Sequence, residues 1–289
     1  MRLRHFRHAL RVAACVGLLL AGISAARAQE NRYFVTSDGV RLHYIEAGNP
    51  AAKTIVFVPG WTMPAWIWQQ QIQYFSARYH VIALVPRGQG ASEIAAGGYE
   101  PVRRGDDIGD LLARLGPQPV MLVGWSLGVL DALAYVHQHG DGRIAGLVLV
   151  DNSVGEEPAP TPSPPHHGPK IPHDIAMDRF VRSMFRKPPG EAYLERLVQA
   201  SLVTPEPASR ALLSYPVPRT YWREAVYSTQ KPVLYVVRPG LEGQAGNLAR
   251  KHPAAESVVV RDAGHALFVD DAAWFDALMQ DFIHRRVWP

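Results

Sequence analysis

The run Gly124-Trp125-Ser126-Leu127-Gly128 puts a hydroxyl at a corner of the chain. Residues 120–123 are a short continuous apolar run of the kind that forms a buried strand, and residues 129–137 repeat apolar side chains at helical spacing. A serine on such a strand-to-helix turn matches the nucleophile elbow G-x-S-x-G. There the strained turn lifts the hydroxyl clear of the sheet, and the flanking glycines let backbones approach closely. The helix that follows aims the positive end of its dipole at any negative charge that forms there. The chemistry this suits is attack by Ser126 on an electrophilic carbon; the competing reading is a serine that merely caps a helix.

A serine hydroxyl is a weak nucleophile unless a base takes its proton, so the chemistry needs a histidine. His265 lies in Asp262-Ala263-Gly264-His265-Ala266-Leu267-Phe268, after the last predicted strand and before the last predicted helix. In an α/β sheet that loop falls on the carboxyl edge, the edge that also carries the elbow. The developing oxyanion needs two N–H donors, one from the residue after the nucleophile and one from the loop after an earlier strand. Leu127 fills the first place. Trp61, in the turn Val58-Pro59-Gly60-Trp61, fills the second, whereas the nearby Trp66 and Trp68 read as packing residues.

These motifs together resemble the α/β-hydrolase superfamily, particularly its cap-bearing serine esterases, over nearly all of the chain after residue 28. Pro59-Gly60-Trp61 is similar to the family's His-Gly-x oxyanion turn, and Arg87-Gly88-Gln89-Gly90-Ala91-Ser92 to its Arg-Gly-x-Gly-x-Ser loop; the elbow and Ala263-Gly264-His265 are also close. Pro59 replaces the usual histidine, and Val85 stands where an aspartate commonly precedes the glycine-rich loop. The resemblance implies a third residue, an acid that orients the imidazole. Its usual place follows the seventh strand, where Glu242 is the one carboxylate within reach of Val236-Val237-Arg238-Pro239-Gly240-Leu241; a less usual place follows the sixth strand, where Asp151 ends Leu147-Val148-Leu149-Val150. Both satisfy the order serine, acid, histidine. Either could instead cap a turn or meet an arginine such as Arg238.

The elements needed to hold these residues follow from the patterning. Residues 32–36 and 40–47 alternate across Ser37-Asp38-Gly39 as a hairpin. Strands are predicted at 54–58, 79–85, 120–125, 144–150, 232–237 and 257–261, and helices at 64–77, 101–115, along the elbow helix and at 272–286. This cadence implies an α/β fold: a mostly parallel sheet of about eight strands with helices on both faces. Seven prolines between Ser153 and Pro172 mark an extended linker. Four short helices at 174–186, 191–202, 205–213 and 219–227 then read as an inserted cap, whose Met177, Phe180, Met184 and Phe185 are expected to wall an apolar acyl pocket. The expected organisation is a core of residues 29–152 and 229–289 with the linker and cap at 153–228.

Other clusters carry less chemistry. His166, His167 and His173 match no zinc spacing, so no metal is expected, and the serine mechanism requires no cofactor. Asp131, five residues beyond Ser126, would face away from it on the helix and is expected to be structural. Asp270 and Asp271 are expected to cap the final helix.

The net charge of +4 misleads, because Arg2, Arg4, Arg7, Arg11 and Arg27 lie in the first 28 residues, which hold no acid. The remainder has 25 basic and 26 acidic residues, a net of −1, and gives no reason to expect a nucleic-acid partner. The expected partner is a small-molecule acyl substrate. Residues 1–28 have the order of a secretory signal, a basic start, an apolar run over 12–23 and Ala26-Arg27-Ala28. That run of about 12 residues is short against the roughly 20 needed to span a bilayer, so no stable membrane insertion is expected. Cys15 is the sole cysteine and falls within this leader, which leaves a mature chain without disulfide or thiol chemistry. The resemblance and the leader together imply a secreted or periplasmic serine hydrolase. Within that fold the rivals are a perhydrolase or C–C hydrolase, and from another class a non-catalytic ligand-binding member. N-terminal sequencing of the exported protein is expected to begin at Gln29, after cleavage behind Ala28; a start before Gln29 would overturn the leader assignment.

Overall fold

The computed structural model describes residues 29–161 and 171–289. The leader with Cys15, and the segment holding His166 and His167, lie outside the described residues. The chain opens with the expected hairpin, β1 (Glu30–Val35) and β2 (Arg41–Ala47), whose turn puts Gly39 at φ +86°. Then come β3 (Thr54–Val58), a 3₁₀ turn (Ala65–Trp68) running into α1 (Gln69–Ser76), β4 (His80–Val85), α2 (Pro101–Arg114), β5 (Val120–Trp125), α3 (Leu127–His139) and β6 (Ile144–Val150). Four helices stand between β6 and the next strand: α4 (His173–Ser183), α5 (Glu191–Leu202), α6 (Glu206–Ala211) and α7 (Thr220–Ser228). After them come β7 (Val233–Val237), α8 (Glu242–Lys251), β8 (Ala255–Val259), α9 (Leu267–Asp270) and α10 (Ala272–Phe282).

The eight strands form one sheet in the order β1-β2-β4-β3-β5-β6-β7-β8, antiparallel from β1 to β4 and parallel beyond. Strands β4, β5 and β7 are buried at every position, as their unbroken Val, Ile and Leu runs require of strands covered on both faces. On one face Leu122, Leu147 and Leu149 meet Leu111 of α2, Leu133 of α3 and Leu248 of α8. On the other, Phe57, Val123 and Val148 meet Phe75 of α1, Phe275 of α10 and Leu197 of α5. Among the described residues no helix is long and apolar enough to cross a membrane.

The structure departs from the sequence expectations at several places. Helix α8 is not signalled by the sequence, because Gly243, Gly246 and Asn247 give it poor intrinsic propensity; it forms by packing Ala245 and Leu248 under the sheet. Strand β8 lies two residues earlier than its apolar run suggests, since pairing with β7 aligns Val233 with Ala255. The final helix gives way after Phe282 to a wide turn, Ile283–Val287. Of the four helices after β6, α7 lies against α3, and its Trp222 indole donates to the Leu130 carbonyl at 3.2 Å.

The elements that present His265 are tied down by α10 and α1. Gln71 of α1 donates to the Phe268 carbonyl at 3.2 Å and to Asp276 of α10 at 2.9 Å, while Trp68 stacks on Phe268 at 3.8 Å between centroids. Trp68 and Trp66 are thus packing residues, Trp66 lying under the guanidinium of Arg196 at 4.1 Å. Burial pushes the Asp276 carboxyl up to about 6, and the Gln71 bond holds it down only in part. The folded value exceeds the ordinary aspartate value of 3.8, so the native state binds the proton more tightly, and stability falls as pH rises from there to about 6. Asp276→Asn is therefore expected to raise stability at pH 7.5 by about 1 kcal/mol, discounted for partial solvent screening, with a smaller gain at pH 4.5. Thermal melts at both values check this; an equal effect at each would refute the burial argument.

Candidate active site

Ser126 joins β5 to α3 with φ +53° and ψ −120°, a backbone conformation that L side chains rarely adopt. The flanking glycines explain why the chain can bend there. A Cβ on Gly124 would sit 2.3 Å from the Gly128 carbonyl oxygen, and one on Gly128 would sit 2.3 Å from that of Val58. The corner is fixed from the next strand, where the Ser126 N–H donates to the Val150 carbonyl at 2.9 Å, and Asn152 Nδ2 donates to the Ser126 carbonyl at 2.8 Å.

His265 reaches the same corner from the other end of the chain. Its Nε2 lies 2.8 Å from Ser126 Oγ, and its Nδ1 lies 2.6 Å from Asp151 Oδ2. A carboxylate only accepts, so Nδ1 carries the proton and Nε2 faces the serine as an acceptor. Its main chain is held as firmly: the Trp125 indole donates to the His265 carbonyl at 2.8 Å, and the Ala266 N–H donates to the Met184 carbonyl at 2.9 Å.

Of the two acids the sequence left open, Asp151 meets the imidazole. Glu242 begins α8 and accepts from Arg261 at 2.6 Å, its side chain about half exposed. Asp151 is 1% exposed and, like Ser126, leaves its strand in a left-handed conformation, φ +50°. Its Oδ1 accepts the Arg238 N–H at 3.0 Å, and its Oδ2 accepts Arg238 Nε at 2.6 Å. Burial pushes the Asp151 carboxyl up, but the His265 hydrogen bond and the Arg238 charge outweigh it, so the group is held below the usual carboxylate range.

The turn expected to supply an oxyanion donor lies beside the serine: a Cβ on Gly60 would be 3.0 Å from Ser126 Cβ. Trp61 follows it, its ring edge-on to Phe180 at 5.1 Å between centroids and its indole donating to the Ser209 carbonyl at 2.7 Å. Leu127 is the first residue of α3, where an N–H has no partner within the helix. Met177 and Met184 are almost wholly buried and Phe185 nearly so, which places them as packing around the site.

The sequence does not signal the contacts of Thr62 and Asp270. Thr62 is fully buried at φ +59°, and its hydroxyl donates to the Trp61 carbonyl at 2.7 Å. Asp270 was expected to cap the final helix; Asp271 does so, accepting the Trp274 N–H at 3.2 Å, while Asp270 accepts the N–H of Gly264 at 2.6 Å and of Lys187 at 3.0 Å. It thereby ties the His265 loop to the segment after α4. Arg238 does meet Asp151, as the sequence allows, but it shares that acid with His265 rather than keeping it from the imidazole. As expected, Asp131 is structural, paired with the buried Arg104 at 2.8 Å. Among the described residues no group of three or more His, Cys, Asp or Glu could hold a metal ion.

A model of the alpha/beta hydrolase family matches residues 55–278. The chain belongs to this family. This α/β hydrolase is 36% identical over 116 residues to a non-heme chloroperoxidase of Kitasatospora aureofaciens, covering 40% of the chain and 42% of that relative. It is 30% identical over 119 residues to a bifunctional esterase/perhydrolase of Acinetobacter calcoaceticus, covering 41% and 43%. The aligned stretch thus spans less than half the length of these relatives. The fold is shared with an esterase from Rhodococcus sp. ECU1013 (TM-score 0.74, 24% identity, 89% and 99% of the two chains) and a bromoperoxidase from Bacillus anthracis (TM-score 0.74, 20% identity, 88% and 100%).

If the imidazole depends on Asp151 for its tautomer, Asp151→Asn should slow covalent labelling of Ser126 by a fluorophosphonate on the order of 10³- to 10⁴-fold. Glu242→Gln should leave labelling within about twofold, as an exposed pair contributes little. Equal rates for the two variants would reject this assignment.

Proposed function

We propose that this α/β hydrolase is a secreted or periplasmic serine hydrolase that cleaves a carboxylic ester or related acyl compound through an acyl-enzyme. The observation that carries the reading is the chain of contacts Ser126 Oγ to His265 Nε2 to Asp151, at 2.8 and 2.6 Å, on a strained elbow at the end of a parallel strand. In this reading His265 takes the Ser126 proton as Oγ attacks the carbonyl. Asp151 holds Nδ1–H and stabilises the imidazolium. The N–H groups of Trp61 and Leu127 donate hydrogen bonds to the negative charge that forms on the carbonyl oxygen. His265 then protonates the leaving alcohol, and a water, deprotonated by the same imidazole, releases the acid. The leader pattern of residues 1–28 supports export.

A second reading within the same chemistry is favoured by the relatives, one of which is called an esterase/perhydrolase and another a non-heme chloroperoxidase. Hydrogen peroxide in place of water at the acyl-enzyme would give a peroxy acid, with the same residues moving the same protons. A C–C hydrolase, or a ligand-binding member without turnover, has no comparable observation in its favour.

Ser126→Ala is expected to fold normally and to lose hydrolysis of a simple aryl ester by a factor on the order of 10⁴ to 10⁶. Undiminished hydrolysis by that variant would reject Ser126 as nucleophile. Product analysis of the wild type with and without peroxide distinguishes acid from peroxy acid.

A further inference from the structure

Helix α4 meets the surroundings of Ser126 at two places. Along its length Phe180 abuts the Trp61 ring edge-on at 5.1 Å between centroids, and Met177 Sδ accepts the Thr62 hydroxyl at 3.7 Å. At its carboxyl end the chain runs beside the His265 loop. There the Met184 carbonyl accepts the Ala266 N–H at 2.9 Å, and a Cβ on Gly264 would lie 2.3 Å from that same carbonyl oxygen. The residues on either side of His265 are thus both in contact with the end of α4.

Asp270 closes this joint. Its Oδ2 accepts the Gly264 N–H at 2.6 Å and the Arg186 N–H at 3.0 Å, and its Oδ1 accepts the Lys187 N–H at 3.0 Å. Its own N–H donates to the Ala266 carbonyl at 3.1 Å. One carboxylate therefore gathers main-chain donors from both sides of the joint, and such charge-assisted bonds are stronger than those between neutral groups. Taking the reading of Ser126 and His265 as nucleophile and base, we infer that Asp270 is a positioning residue. It locks the His265 loop to the end of α4, so that the helix bracing the Trp61 turn also sets the approach of the imidazole to Ser126.

The other holds on His265 act on different atoms. The Trp125 indole fixes its carbonyl from β5, and Asp151 fixes Nδ1. Neither involves Gly264, the residue that leads into the histidine. The side chains nearby are no substitute for the carboxylate: Arg186 pairs with Asp262, and Lys187 stands 4.0 Å from Asp271. All four are more than half exposed, where ion pairs contribute little. It follows that α4 is no lid swinging independently of the chemistry, because displacing its end displaces the base.

The test is fluorophosphonate labelling of Ser126 in the wild type, Asp270→Ala, Gly264→Ala and Asp271→Ala, recording the rate constant and the final labelled fraction, with kcat and KM for an aryl ester alongside. Loss of folded protein lowers the final fraction, whereas a displaced imidazole lowers the rate constant and leaves that fraction full. Asp270→Ala is expected to label fully but on the order of 10- to 100-fold more slowly, the range up to the cost of misplacing a reacting group by about 1 Å. Its kcat should fall as well, with KM held within about threefold. Gly264→Ala, which forces the loop off the Met184 carbonyl with the carboxylate intact, should slow labelling in the same way. Asp271→Ala removes the cap of α10 and should lower the melting temperature, yet keep the labelling rate constant within about twofold. A rate constant for Asp270→Ala within about twofold of the wild type, or equal slowing in Asp271→Ala, would overturn the inference. Should Asp270→Ala fail to fold, Gly264→Ala decides, and an unchanged rate constant there is equally fatal. A wild type that does not label at all would instead reject the serine-hydrolase reading, and the inference with it.

Discussion

The arrangement rests on the parallel register of β5, β6 and β7. Trp125 is aligned with Val150, and Val150 with Val236. The ladder then runs one residue past each strand end: the Ser126 N–H bonds to the Val150 carbonyl, and the Asp151 N–H to the Val236 carbonyl, each at 2.9 Å. A hydroxyl and a carboxylate far apart in sequence are thus pinned at the same height on neighbouring strands. Only after that last bond does the chain turn. Among the described residues, the non-glycine positions with left-handed backbone are Thr62, Ser126 and Asp151, and all three surround this rim. Each such conformation costs about 1–3 kcal/mol and persists where surrounding structure over-determines it, here the ladder on one side and close glycine contacts on the other.

Burial gives the acid its force. Asp151 is taken almost wholly out of water, so a lone carboxylate there would be strongly destabilising. It is compensated from two directions, by the imidazole N–H and by the main chain and side chain of Arg238. Glu242 could not do the same work even if it were nearer. It is about half exposed and paired with a still more exposed arginine, Arg261, where water and salt screen most of its field. The Asp151 carboxylate is therefore a firm anchor for His265 because almost none of its own surface is left to water.

Much of the fold and the centre of the site was legible because the signals are local. The run before Gly124, the glycines around Ser126, and the aspartate ending Val148-Leu149-Val150 each announce themselves within a few residues. What was not legible depends on partners elsewhere in the chain. Helix α8 has glycines that argue against it, and tertiary packing overrides them. The conformation of Thr62 follows from a turn held against the elbow and from Met177, whose sulfur accepts its hydroxyl at 3.7 Å. Asp270 looked like a helix cap because nothing nearby in sequence reveals that the segment after α4 returns to meet it. The choice between Asp151 and Glu242 is of the same kind: both fit the order along the chain, and they are separated by which one the distant His265 loop meets.

Ser126 and Asp151 are fixed by the sheet, an architecture common to proteins of many activities. The turn at Trp61 is different, because it is held from both sides. Below it Gly60 lies against Ser126, and above it the Trp61 indole is anchored to Ser209 of α6 while its ring abuts Phe180 of α4. Helices α4 and α6 therefore brace the turn that carries Trp61. If the Trp61 N–H serves the oxyanion as proposed, sequence changes in α4 or α6 would be felt at that donor through the one tryptophan ring that both helices hold.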